Sequence, residues 1–129
     1  MENIFVSHIE DCKWQQNKEF GNFRWKYLVD SSQNKSHGLS CGLVQIPVGE
    51  QLELHSHSPQ EVYLIRFGEG TLLQNNFPKQ KLRKDSIVYI PMHVPHGLKN
   101  TGRKPLEVIW IFPTDSWEEV KYIFDKTPV

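Results

Sequence analysis

His55, His57 and Glu61, followed further along by His93 and His96, are the side chains of this sequence best suited to hold a metal ion. Residues two apart in an extended chain project to the same face, so His55 and His57 can meet one ion. Ser58-Pro59 marks a bend, and a strand starting near Glu61 then returns a carboxylate to the same cavity. Imidazole nitrogens with one carboxylate suit a single divalent transition ion: Fe2+, Mn2+, Ni2+, Co2+ or Zn2+. Calcium would need an all-oxygen set. Tyr63 lies two residues after Glu61 and shares its inward face. A nearby dication stabilises phenolate, which makes Tyr63 a candidate general base, with a core tyrosine of satisfied hydroxyl as the alternative. His8 and His37 stand apart from both histidine clusters in sequence and read as surface histidines, and His93 reads as an exposed loop histidine.

The elements that must position these groups are short. Phe23 to Val29, Leu39 to Ile46, Glu61 to Phe67, Ser86 to Ile90, His96 to Lys99 and Leu106 to Phe112 are apolar or alternating runs bounded by turn residues. Gly68-Glu-Gly70 should close a hairpin between Glu61–Phe67 and Thr71–Gln74. Polar residues 30–37, opening with Asp30-Ser-Ser, form the expected loop. Only the end has helical character: Asp115 or Ser116 is a possible N-cap, with Glu118 and Glu119 in a first turn. The pattern is that of an all-β sandwich or barrel, and a closed barrel would leave no exposed strand edges.

A chain of 129 residues has room for one domain, expected over 1–129. Lys plus Arg equals Asp plus Glu at 15 each, so no net field favours nucleic acid or an anionic membrane. No apolar run is long enough to span a bilayer, and the start lacks a signal-peptide pattern, which places the protein in the cytoplasm. Cys12 and Cys41 lack metal or disulfide spacing and read as reduced thiols.

Gly49-x5-His55-x-His57-x3-Glu61-x6-Gly68 follows the first cupin motif without a gap, and Pro91-x4-His96-x3-Asn100 follows most of the second. The chain therefore resembles the cupins over about residues 40–113. This implies a single cupin domain, a jelly-roll barrel or double-stranded β-helix with a short C-terminal helical turn. It also implies His55, His57, Glu61 and His96 as metal ligands. Two positions depart from the family pattern, Asp85 and His93, where glycine is usual. Both residue types tolerate positive φ, so both read as turn variants.

The cupin fold hosts many reactions, so the neighbourhood of the site must discriminate among them. Arg24-Trp-Lys-Tyr-Leu-Val-Asp30, Gly38-Leu-Ser-Cys-Gly42, His57-Ser-Pro59, Trp110 to Asp115 and Glu119 to Tyr122 are similar to segments of the short dimethylsulfoniopropionate lyases of marine bacteria. That resemblance implies a metal-dependent carbon–sulfur lyase acting on a small-molecule carboxylate substrate, with Tyr63 and Tyr122 as catalytic tyrosines. A cationic sulfonium would sit against aromatic faces, for which Trp25, Tyr27, Trp110 and Phe112 are candidates beside Tyr122. An iron-dependent dioxygenase and a non-catalytic small-ligand-binding cupin are the alternatives. By analogy with small cupins, a homodimer is expected.

Overall fold

The computed structural model describes residues 3–124. Its strands are β1 (Gln15–Gln16), β2 (Arg24–Val29), β3 (Ser40–Ile46), β4 (Gln51–Ser56), β5 (Glu61–Phe67), β6 (Gly70–Leu73), β7 (Gln80–Leu82), β8 (Ile87–Ile90), β9 (His96–Lys99), β10 (Leu106–Phe112) and β11 (Ile123–Phe124). The longer ones follow the alternation of their residues. In β10, Leu106, Val108, Trp110 and Phe112 are buried, and the residues between them are only partly so. β1, β7 and β11 are two or three residues long and carry no alternation that a sequence reading could find.

Two antiparallel sheets result, in the orders β1-β2-β3-β10-β5-β8 and β11-β4-β9-β6-β7. Their inner faces share one core, with Ile46, Ile65, Val108 and Ile90 from the first sheet meeting Leu72, Leu82 and Leu98 from the second. This is the jelly-roll arrangement, but the sheets are not closed into a barrel. The edges that closure would remove remain at β1 and β8 and at β11 and β7.

The hairpin expected between Glu61–Phe67 and Thr71–Gln74 does not form. β5 pairs with β10 and β8, whereas β6 pairs with β7 and β9 in the other sheet. Gly68 has φ +83°, and a Cβ there would lie 2.6 Å from the Pro105 carbonyl oxygen. At Gly70 a Cβ would lie 2.7 Å from the Leu106 side chain. Two glycines packed this tightly make a corner between sheets, and sequence spacing alone does not distinguish a corner from a hairpin.

Other expectations meet the structure directly. Asp85 and His93 have φ of 71° and 65°, as turn variants at glycine positions require. The C-terminal helical turn is one 3-10 turn, Trp117–Glu119, with the Ser116 hydroxyl accepting from the Glu118 N–H. It is not alone, because a second 3-10 turn, Ile9–Asp11, forms near the start, where no helical character was expected. Asn100 of the second motif is a fastener: its side-chain amide donates to the carbonyls of Ile46 (2.9 Å) and Lys104 (2.8 Å). Cys12 and Cys41 are free thiols, and His8, His37 and His93 are exposed. Among the described residues no helix is long and apolar enough to cross a membrane.

Candidate metal centre

The centre lies between the two sheets. His55 lies one residue before the end of β4 and faces His96, its direct cross-strand partner at the start of β9. His57 follows just past the end of β4, and Glu61 and Tyr63 point inward from β5 in the opposite sheet. All four of His55, His57, Glu61 and His96 are no more than 2% exposed.

A β-bulge sets the inward turn of His55. Leu52 pairs with Leu98 and His55 with His96, so Glu53 and Leu54 together oppose the single residue Gly97. Simple alternation would put Leu52 and His55 on opposite faces. The extra residue lets Leu52 pack against the core while His55 and His57 face the centre.

Each imidazole is oriented by a backbone carbonyl. His55 Nδ1 lies 2.6 Å from the Glu53 carbonyl, His57 Nδ1 2.8 Å from that of Pro59, and His96 Nδ1 2.8 Å from that of Val94. A carbonyl only accepts, so Nδ1 carries the hydrogen in each ring and the Nε2 lone pair faces inward. One nitrogen from each of the three rings lies within 4.8 Å of the other two. The Nε2 atoms of His55 and His96 are buried without a hydrogen-bond partner. Buried lone pairs left over in this way fit a divalent ion of the imidazole-binding class. Glu61 Oε1 lies 3.1 Å from His57 Nε2 and 3.3 Å from His96 Nε2, which brings a carboxylate to the edge of the same group.

Burial lowers the His55 pKa to about 4, with the neighbouring His96 adding to the effect. The ring is therefore neutral at ordinary pH, the form that binds metal. Burial pushes Tyr63 well above the usual phenol value, and the charge of Glu61, to which its hydroxyl is hydrogen-bonded, acts the same way. The protein alone therefore holds Tyr63 as a protonated phenol. Tyr122 is raised too, again by burial first. Its ring stacks on His55 at 4.7 Å and 17°, and its hydroxyl accepts from Trp117 Nε1–H at 2.9 Å.

Beside the imidazoles opens a cavity of about 400 Å³ whose lining includes His55, Glu61, Tyr63, Trp25, Trp110 and Tyr122. Of the aromatics singled out in sequence, Tyr27 and Phe112 do not line it. Phe112 points inward as its strand position requires, but it packs edge-on behind His57 at 5.0 Å and so backs a histidine instead of facing the cavity. Tyr27 sits behind the wall, against the rings of Trp25 and Trp117. The sequence reading missed Phe20, Phe23, Trp117 and Phe124 as wall residues, since none stands beside a motif. Gly42 gives Trp110 its place: a Cβ there would lie 2.2 Å from the indole.

Residues 42–112 match the Cupin domain family, and the chain belongs to that family. Among characterised proteins it is 29% identical over 105 residues to the dimethylsulfoniopropionate lyase DddW of Ruegeria pomeroyi, a match covering 81% of this chain and 68% of that protein. It is also 34% identical over 71 residues to auxin-binding protein 1 of Arabidopsis thaliana, covering 49% of this chain and 36% of that protein. The polyketide cyclase RemF from Streptomyces resistomycificus superposes with a TM-score of 0.82 at 13% identity, covering 98% of this chain and 88% of that one. At that identity the likeness is one of fold.

Proposed function

We propose that this cupin is a metal-dependent carbon–sulfur lyase that eliminates dimethyl sulfide from dimethylsulfoniopropionate, leaving acrylate. The observation that carries this reading is the polarity of the cavity. Of the three imidazoles His55 lines it, with the rings of His57 and His96 packed beside His55, and aromatic rings form most of the remaining wall. Glu53 and Glu118 line it as well, and no lysine or arginine is among its lining residues. A ligand anion therefore has its anchor at the histidine end, while a cationic group finds ring faces and carboxylates elsewhere. A small zwitterion with a carboxylate and a sulfonium matches that division, and the similarity to DddW points the same way.

In this reading His55, His57, His96 and Glu61 hold one divalent transition ion. Such an ion supplies Lewis acidity to a substrate carboxylate and positive charge that favours phenolate at Tyr63. Tyr63 takes the α-proton, the electron pair of that C–H bond forms the C=C bond, and the β-carbon–sulfur bond breaks with its electrons leaving on sulfur. Tyr122, stacked on His55, closes the site over the substrate. The chain works in the cytoplasm as a homodimer.

A gas-tight assay tests this. Protein loaded in turn with Fe2+, Mn2+, Co2+, Ni2+ and Zn2+ is given dimethylsulfoniopropionate, and headspace dimethyl sulfide is measured. Tyr63→Phe should lower kcat by roughly 100-fold or more while the ion stays bound. No dimethyl sulfide with any of the ions would overturn the lyase reading. Saturable binding without turnover would favour a ligand-binding cupin, the reading that the similarity to auxin-binding protein 1 supports.

A further inference from the structure

Asp30 lies at the end of the β2 segment, away from the metal centre, and its carboxylate is 1% exposed. Oδ1 accepts from the Ser32 hydroxyl (2.6 Å), the Ser32 N–H (3.0 Å) and the Ser116 hydroxyl (2.7 Å). Oδ2 accepts from the Trp117 N–H at 2.9 Å. Two of these donors come from a segment more than eighty residues away in sequence. Burial opposes ionisation here, but the hydrogen bonds from Ser32, Trp117 and Ser116 outweigh it, and the carboxyl is held below its ordinary value.

The segment so gripped is a wall of the cavity. Trp117, Glu118, Val120, Tyr122 and Phe124 all line it. Its far end carries the two-residue β11 ladder, Ile123 to Ser56 and Phe124 to His55. Trp117 packs on Trp25 at 5.7 Å and on Phe20 at 5.8 Å, and its Nε1–H donates to the Tyr122 hydroxyl. A continuous path thus runs from Asp30 through Trp117 to Tyr122 and the face of His55.

We infer that Asp30 is a positioning residue for the metal centre: it fixes Trp117, which holds Tyr122 against His55, so that residues 116–124 stay closed over the cavity. The positioning follows from this geometry, and its bearing on turnover rests on the function proposed above.

Amide hydrogen exchange and the His55 ring resonances test it without any activity assay. In Asp30→Ala, amides of residues 116–124 should exchange about 10-fold faster or more, while β3, β5 and β10 keep wild-type rates. The His55 ring protons, shielded by the stacked Tyr122, should move downfield. Trp117→Phe keeps the backbone donor to Asp30 but loses the indole N–H, so it should shift the His55 signals with little change in exchange at residues 116–118. Asp30→Asn retains acceptor oxygen and should restore part of the protection. Were Asp30→Ala to fail to fold, Asp30→Asn and Ser116→Ala would carry the test with smaller effects of the same pattern. Uniform acceleration across the core, or unmoved His55 resonances in the Asp30 variants, would overturn the inference. Absence of lyase activity leaves these readouts untouched, so the two claims fail separately.

Discussion

Gly97→Val should weaken metal binding by roughly 100-fold although every proposed ligand is still present. A Cβ at position 97 would lie 2.8 Å from the Leu52 carbonyl oxygen, 3.1 Å from the Leu54 nitrogen and 3.3 Å from the Glu53 carbonyl carbon. All three atoms are backbone of the β4 bulge, so no side chain can turn aside to make room. The bulge is also what orients His55, through its inward turn and through the Glu53 carbonyl that accepts from Nδ1. Pushing that peptide outward moves the ring and removes its partner together. The overpacking itself should cost about 1–3 kcal/mol of stability, so a urea melt must show a folded variant before Co2+ affinity is measured by calorimetry. Gly97→Ala should give a milder form of both effects. Wild-type affinity in a folded Gly97→Val protein would show that the bulge does not position the site.

The second large effect concerns pH. In the unfolded chain a histidine titrates near 6.5, whereas folded His55 titrates near 4. Between these values the unfolded state binds a proton that the folded state refuses, so metal-free protein should lose stability as pH falls from 6.5 to 4. From the shift, 6.5 down to about 4, the loss should total roughly 3 kcal/mol at about 1.4 kcal/mol per pH unit. Above pH 6.5 His55 adds no slope. Urea melts of chelated protein at half-unit pH steps measure this, and His55→Gln should flatten that part of the profile. A bound ion should protect the fold through the same range until protons displace it. A flat profile between pH 6.5 and 4 in the chelated wild type would contradict the burial of a neutral His55.

The chemistry was more legible in the sequence than the architecture that supports it. Period-two alternation and the fixed spacing of His55, His57 and Glu61 point to one inward-facing cluster, and the structure gathers three histidines and the carboxylate there. The strands with alternating or continuous apolar runs were also readable. What the sequence concealed depends on contacts between distant segments. Gly97 is an ordinary strand residue until β4 is laid beside it, and Gly68 and Gly70 fit a hairpin as well as a corner until Leu106 is in place. Asp30 reads as a turn aspartate because the donors that bury it come from Ser116 and Trp117. Phe112 has the alternation of a cavity residue, yet its ring packs against His57 and does not line the cavity.

Metal stoichiometry tests the central claim most directly. Chelated protein is titrated with Zn2+ and with Co2+, and uptake is followed by calorimetry and by elemental analysis after desalting. One ion per chain should bind to the wild type, and the His57→Ala, His96→Ala double variant should retain none while still folding. Failure of the wild type to take up either ion, or uptake that survives in the folded double variant, would contradict a metal centre at these histidines.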